Sequence, residues 1–182
     1  YQKRAIETLN LILNTLRIEN DKVVKAWELN ERHYGSLTGL NKNEMKKIYG
    51  EEKIHEFRRS WDNQPEALNK NSPYHPINIE IYKDIPKNKI PDTESLKNTY
   101  ERVIPFFEKN IKSKMDKNIL IAAHGNSIRA LCKYLFKIDN NKISKLEIPT
   151  GNPLILKFSE NKKLISGNYL DKNRAKDLLI FS

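Results

Sequence analysis

The chain has 182 residues, the size of one globular domain, and its 33 basic and 23 acidic residues give a net charge of +10. Its single cysteine, Cys132, excludes an internal disulfide and favours a reducing, cytoplasmic location. No apolar run approaches the ~18 residues of a membrane span, so we expect no membrane partner. The positive charge suits an acidic partner, but the lysines are spread evenly and do not select one.

The first half of the chain predicts helices around one polar segment. Apolar residues three to four apart predict an amphipathic helix over residues 3–17. A strand is predicted over residues 23–29, leading into the polar cluster 30–35. Two shorter helices follow over residues 41–49 and 51–61, and the first opens with capping-box-like spacing.

The composition changes over residues 62–92, where five prolines exclude a long helix. A connection of this length is either a functional lid or insertion, or a mobile surface loop.

A long helix is then predicted from Thr93, with a kink at Pro105. The second half ends with a helix near 140–146, a strand pair over 154–158 and 163–169, and a weakly helical tail over 171–180. No domain boundary is evident, which predicts one domain over residues 1–182 with an insertion at about 62–92.

The centre of the chain is the apolar run 119–123, which lacks alternation and is typical of a strand buried on both faces. It stops at His124-Gly125, and Ser127 is predicted to cap a helix that runs to about residue 135. A histidine between a buried strand and a helix N-terminus lies where anionic ligands bind in α/β sheets. The alternative is a plain strand–turn–helix in which the histidine only caps the turn. Cys132 falls on the apolar face of this helix and is predicted to be a packing residue.

Only two stretches pair ionisable residues with turn glycines, around Glu31 and around His124. The four histidines show no metal-ligand spacing, and there is no Gly-rich phosphate loop. A glutamate, a histidine and several arginines in one pocket would suit phosphoryl transfer, because arginine binds phosphate in a bidentate manner. The alternative for Glu31 and Arg32 is a solvated surface pair. Spacing alone does not choose between them.

The segment Leu29-Asn-Glu-Arg-His-Tyr-Gly-Ser-Leu-Thr-Gly-Leu-Asn-Lys42 resembles the signature of the cofactor-dependent phosphoglycerate mutases, in the histidine phosphatase superfamily. Further blocks resemble the family in the same order, at 3–5, 57–59, 93–96, 122–127 and 148–151. The resemblance implies an α/β fold with a mostly parallel sheet flanked by helices on both faces. It implies interconversion of 3-phosphoglycerate and 2-phosphoglycerate in glycolysis and gluconeogenesis, through a phosphohistidine primed by 2,3-bisphosphoglycerate and without metal.

The same resemblance implies residue roles. Arg4 and His124 would hold the transferring phosphoryl group, and Glu31 would donate and accept the proton of the substrate hydroxyl. The residues implied to bind substrate phosphate or carboxylate are Arg32, His33, Tyr34, Lys42, Arg58, Arg59, Gly125 and Asn126. The expected partner is phosphoglycerate rather than nucleic acid, with the protein a homodimer or homotetramer.

Two departures from the family pattern keep alternatives open. The family's nucleophilic histidine lies in an Arg-His-Gly motif on the first strand, and no Arg-His-Gly occurs in this sequence. We therefore expect an N-terminal strand to be missing from this chain, and the chain alone to be inactive. The tail from residue 171 is unlike the usual Lys-rich tail, which leaves the balance of mutase and phosphatase activity open. The alternatives are a broad-specificity histidine-type phosphatase and a non-catalytic phosphate-binding remnant.

Overall fold

The structure is a computed structural model that describes residues 1–19 and 22–175, apart from the Lys42 side chain. In this part of the chain the α-helices and strands are α1 (Lys3–Leu16), α2 (Lys42–Tyr49), α3 (Glu51–Arg59), α4 (Leu96–Phe106), α5 (Gly125–Leu135), β1 (Leu154–Phe158) and β2 (Leu164–Tyr169). Turns of 3-10 helix lie between them at Trp27–Leu29, Gly35–Leu37, Pro76–Asn78, Glu80–Tyr82, Lys87–Lys89, Lys112–Lys114, Ile143–Lys145 and Lys172–Arg174.

The first three helices confirm the sequence prediction, and local residues set their ends. Arg17 ends α1 in the left-handed conformation, with φ of 54°. The side chain of Asn41 accepts a hydrogen bond from Asn43 N and so caps α2. Gly50, with φ of 82°, separates α2 from α3 because a glycine adopts this conformation without steric cost.

The later helices differ from the prediction in their bounds. Helix α4 begins at Leu96 rather than Thr93, because Ser95 and Asn98 form a reciprocal capping box. Pro105 lies inside α4, and the chain passes into a π-helical turn at Phe107–Ile111. The kink predicted at Pro105 stays a prediction. The helix predicted near 140–146 is only the 3-10 turn Ile143–Lys145. In the tail, predicted to be weakly helical over 171–180, the structure shows the 3-10 turn Lys172–Arg174. Residues 176–182 lie outside the described part.

The strand prediction is confirmed at the end of the chain and corrected elsewhere. β1 and β2 pair antiparallel, with a register shift between Lys157 and Phe158. The segments 23–26 and 119–123, predicted as strands, form no β-ladder, so the described residues contain no parallel sheet. Both segments contribute to the wall of a cavity of about 290 Å³ and do not pair across it. A strand exists through hydrogen bonds to a neighbour, and apolar composition alone does not supply them.

The hydrophobic core lies where α4 packs on α5. Leu96, Val103 and Phe107 are almost fully buried on the α4 side. Ala130 and Cys132 meet them from α5, which confirms the predicted packing role of Cys132. This packing holds the N-terminal end of α5, and with it His124, in a fixed place relative to α4.

The two ends of the Pro-rich insertion are bonded to each other, and its first end lies against the neighbouring polar segment. Leu68 N donates to Asp92 O across the base of the insertion. The fully buried His75 has its Nε2 3.0 Å from Asp92 Oδ1. Gly35 adopts φ of +54°, and a Cβ there would stand 2.1 Å from Glu66 O, so only glycine allows this contact. These contacts hold the first part of the insertion in an ordered position against the segment that follows Glu31.

Candidate active site

The backbone around Glu31 is held by a buried ion pair. Arg102, on α4, donates from Nε to Glu94 Oε1 at 2.7 Å and from Nη2 to Glu94 Oε2 at 2.9 Å. The same guanidinium also donates to Glu31 O at 3.3 Å. Glu94 in turn accepts from His33 N at 2.9 Å, and its own N donates to His33 O. Helix α4 thus sets the position of the residues on both sides of Arg32.

The Glu31 carboxylate is oriented through one of its two oxygens. Asn126 Nδ2 donates to Glu31 Oε1 at 2.8 Å and to Tyr34 Oη at 2.9 Å. Arg32 N also donates to Glu31 Oε1, at 2.8 Å. Oε2 accepts no hydrogen bond from the described residues. A carboxylate fixed by one oxygen and open at the other can exchange a proton with a ligand hydroxyl.

His124 is the N-cap residue of α5, and its ring is fixed by Arg4. Arg4 Nη2 lies 3.3 Å from His124 Nδ1. Because a guanidinium only donates, Nδ1 is the acceptor and the proton of the neutral ring sits on Nε2. Nε2 is buried and has no hydrogen-bond partner among the described residues. Burial is the main cause that lowers the pKa of His124; the Glu31 carboxylate opposes this shift, and the charge of Arg4 adds to it.

The predicted Ser127 cap is wrong. Ser127 is buried, and its Oγ donates to Asn30 O at 2.7 Å instead of capping the helix. Helix α5 begins three residues earlier than a Ser127 cap would imply, at Gly125, with no side-chain cap at His124. Its first N–H groups have no intrahelical acceptor, as at any helix N-terminus. Ser127 serves instead to hold the segment that precedes Glu31 against α5.

Arg32 is a buried cation with unused hydrogen-bond donors. It is 2% exposed, and its Nη2 donates to Phe57 O. Nε and Nη1 are buried without a partner in the described part of the chain. Its guanidinium carbon lies 4.6 Å from the Tyr34 ring centre, and that of Arg58 lies 5.0 Å from the same ring. Burial lowers the pKa of Arg32. An anion that meets the free N–H groups would offset the cost of this burial.

These groups border a cavity of about 330 Å³. The predicted site residues in its wall are Arg4, Glu31, Arg32, His33, Tyr34 and His124. The insertion contributes Tyr74, Ile79, Tyr82 and Ile85 to the wall of the same cavity. The volume lies in the range of small-molecule sites, and the wall combines apolar side chains with a few convergent polar groups.

The other predicted site residues are not among those that line this cavity. Asn126 reaches it through Glu31 and Tyr34, and Arg58 stacks on Tyr34. Arg59 forms an ion pair with Glu147. Gly125 begins α5. Lys42 begins α2, and its side chain lies outside the described part. The roles assigned to all of these residues remain predictions.

The sequence did not predict the buried charged residues that hold the site residues in place through hydrogen bonds. Arg129 is 2% exposed and donates from Nη1 to Asn126 Oδ1 at 2.9 Å and from Nη2 to Ile143 O at 2.7 Å. Burial lowers its pKa to about 10. Glu94 and Arg102 were missed in the same way. For the two arginines the available signal was a charged residue adjacent to core positions on an amphipathic helix, as Arg129 is to Ala130 and Arg102 is to Val103.

Within residues 1–19 and 22–175, no group of three or more His, Cys, Asp and Glu side chains could hold a metal ion. In the same ranges, no helix combines the length and apolar character needed to cross a membrane. The expectation of metal-independent chemistry remains a prediction.

Residues 1–75 and 72–168 match the family model described as histidine phosphatase superfamily (branch 1). The chain belongs to this superfamily. The 2,3-bisphosphoglycerate-dependent phosphoglycerate mutase of Pelagibacter ubique is 63% identical over 183 residues, which cover 100% of this chain and 76% of the relative. The enzyme of the same name from Treponema denticola is 49% identical over 172 residues, covering 93% of this chain and 70% of the relative. The resemblance found in the sequence is confirmed.

The fold has a counterpart among solved structures. The native structure of a mycobacterial glucosyl-3-phosphoglycerate phosphatase superposes with a TM-score of 0.62 and covers 96% of this chain and 74% of that one. The two sequences are 17% identical, so this likeness concerns the fold alone. It confirms the α/β class, although the sheet formed by the described residues is the antiparallel pair β1–β2.

Proposed function

We propose that this protein is a 2,3-bisphosphoglycerate-dependent phosphoglycerate mutase, which interconverts 3-phosphoglycerate and 2-phosphoglycerate in glycolysis and gluconeogenesis. The observation that carries the proposal is the meeting of Glu31, His124, Arg4 and Arg32 at one cavity. They are a proton-exchanging carboxylate, an imidazole donor and two cations, which phosphoryl transfer requires for positioning and charge neutralisation. Phosphoglycerate mutases at 44–63% identity support the same reaction.

Each group has a defined task at the cavity. His124 Nε2–H and Arg4 donate to the oxygens of the transferring phosphoryl group, where negative charge builds in the transition state. Glu31 Oε2 takes the proton of the glycerate hydroxyl as this hydroxyl attacks the phosphohistidine, whose P–N bond breaks. In the reverse step Glu31 returns the proton to the hydroxyl that leaves as the histidine takes the phosphoryl group. The free Nε and Nη1 of Arg32 bind the substrate carboxylate or second phosphate.

The residues also suit a polyanionic primer. Arg4, Arg32 and Lys89 border the cavity, and the buried donors of Arg32 and His124 have no partner among the described residues. The 2,3-bisphosphoglycerate primer would transfer its phosphoryl group to the family's nucleophilic histidine, which lies in the Arg-His-Gly motif that this sequence does not contain, and the resulting phosphohistidine would start the cycle. We propose that no metal takes part, and that the protein is cytoplasmic and a homodimer or homotetramer.

The experiment is Glu31→Gln in the full native protein, assayed with 3-phosphoglycerate and primer. Loss of the proton acceptor should lower kcat by about a hundredfold or more, while KM stays within a few-fold. The control is Glu52→Gln, an exposed glutamate of α3, which should leave both constants unchanged. Near-normal kcat in Glu31→Gln would contradict the proposal. Equal release of inorganic phosphate and of 2-phosphoglycerate by the parent protein would favour a phosphatase instead.

A further inference from the structure

Gln2 joins the insertion to Glu31 through both ends of its side-chain amide. Its Oε1 accepts a hydrogen bond from Glu31 N at 2.8 Å. Its Nε2 donates to Tyr82 Oη at 2.7 Å. The Glu31 N–H is a donor, so the side-chain atom of Gln2 that faces it must be the amide oxygen. The NH2 group of Gln2 therefore faces Tyr82, and the Tyr82 oxygen is the acceptor there. Neither Gln2 nor Tyr82 is among the residues that the sequence reasoning assigned to the site.

We propose that Gln2 is a positioning residue, which fixes the backbone of the proton-transferring Glu31 relative to Tyr82 of the insertion wall. The proposal rests on the proposed function for its catalytic consequence. Its structural half, the link from Tyr82 through Gln2 to Glu31, stands independently.

The location of each partner gives the link its consequence. Gln2 is the N-cap residue of α1, two positions before Arg4, so one short segment contacts both the glutamate and His124. Tyr82 ends a 3-10 turn of the insertion and lies in the cavity wall with Gln2 and Glu31. A shift of the insertion at Tyr82 would therefore move Gln2, and through it the Glu31 amide.

The other contacts of Glu31 do not replace this link. Arg102 holds Glu31 O, and Asn126 holds Oε1, so these bonds fix the carbonyl and the carboxylate. The Gln2 bond fixes the N–H on the opposite side of the same residue. Burial raises the pKa of Tyr82, so its hydroxyl stays protonated and neutral at neutral pH. Displacement of a catalytic group by a fraction of an ångström is enough to lower turnover.

The test compares Gln2→Met, Tyr82→Phe and the double variant in the full native protein. Amide hydrogen exchange at Glu31, followed by NMR, reports the link without substrate. We expect Gln2→Met to speed exchange at Glu31 by about tenfold, the effect of losing one hydrogen bond. Tyr82→Phe should raise it by a smaller factor. The control is Asn14→Met, an exposed amide at the far end of α1, which should change nothing.

Turnover supplies the second readout. Gln2→Met should lower kcat about tenfold with KM within twofold, and the double variant should be no slower than Gln2→Met, because both changes break the same link. If amide exchange at Glu31 is unchanged in Gln2→Met, the link is overturned. If exchange at Glu31 is unchanged in Tyr82→Phe, the coupling to the insertion is overturned, and this result holds even if Gln2→Met does not fold. Faster exchange with unchanged kcat overturns the positioning role. A parent protein without mutase turnover contradicts the proposed function, and the exchange experiment still decides the link.

Discussion

The Glu31 carboxylate depends on an amide that sits 95 positions later in the chain. Asn126 Nδ2 divides its two hydrogens between Glu31 Oε1 and Tyr34 Oη. Arg129 donates to Asn126 Oδ1 and thereby fixes which end of this amide faces Glu31. The result is a carboxylate whose second oxygen is left for the ligand. Its orientation is therefore set by a chain of hydrogen bonds that begins in the interior of α5.

Replacing Asn126 should separate orientation from binding. Asn126→Ala removes a hydrogen bond to a charged group, for which we expect kcat to fall by about tenfold to a hundredfold. KM should change little, because the cations at the cavity remain. Steady-state kinetics with 3-phosphoglycerate measures both constants. Asn161→Ala, in the exposed turn between β1 and β2, is the control. A kcat equal to that of the control would show that Asn126 does not orient Glu31.

At the scale of the element, α4 is the support on which the Glu31 segment rests. Arg102 contacts Glu94, Glu28 O and Glu31 O with one guanidinium. The Arg102 and Glu94 side chains are only 11% and 4% exposed. A buried pair of this kind costs free energy to desolvate, and breaking it leaves a charge without compensation.

Arg102→Met should therefore destabilise the protein strongly. We expect the free energy of unfolding to fall by about 3–5 kcal/mol, measured by urea denaturation. The double variant Glu94→Gln/Arg102→Met should regain part of this loss, because no unpaired buried carboxylate remains. Lys142→Met breaks an exposed pair with Asp139 and should cost less than about 1 kcal/mol. Equal losses in Arg102→Met and Lys142→Met would refute a structural role for the buried pair.

At the scale of the whole molecule, folding buries histidines next to cations and other histidines. His33 packs 5.8 Å from the ring of His75, and its Nδ1 accepts from Gly35 N. Burial is the main cause that lowers the pKa of His33, and also that of His124. Since both pKa values lie below that of a free histidine, the folded state binds fewer protons than the unfolded chain below about pH 6.5.

Stability should consequently be complete above about pH 6.5 and decrease as the pH falls below it. Thermal unfolding at pH 7.5 and 5.5 should show a lower Tm at the acidic pH. His33→Gln should reduce this difference, because one of the buried groups no longer titrates. His55→Gln, at an exposed position of α3, should leave it as in the parent. A Tm that does not fall between these pH values would contradict the burial of neutral histidines.

The sequence by itself determined the presence of helices α1 to α5, the strand pair β1–β2 and the family. Amphipathic spacing marked α1, and Asn41 and Gly50 marked the ends of α2, because caps and left-handed turns depend on a few adjacent residues. The family was recognisable because the Glu31 segment is a long contiguous motif. These features are local, so a linear pattern contains them.

Only the tertiary structure decided how the site is held. Ser127 was predicted to cap α5 from its position, but the approach of Asn30 O takes its hydroxyl. The apolar runs at 23–26 and 119–123 had strand composition, yet pairing depends on what lies beside them. The support of Glu31 by Gln2 and Arg102 joins residues 29 and 71 positions apart. Such contacts arise when distant segments pack, and no local pattern in the sequence encodes them.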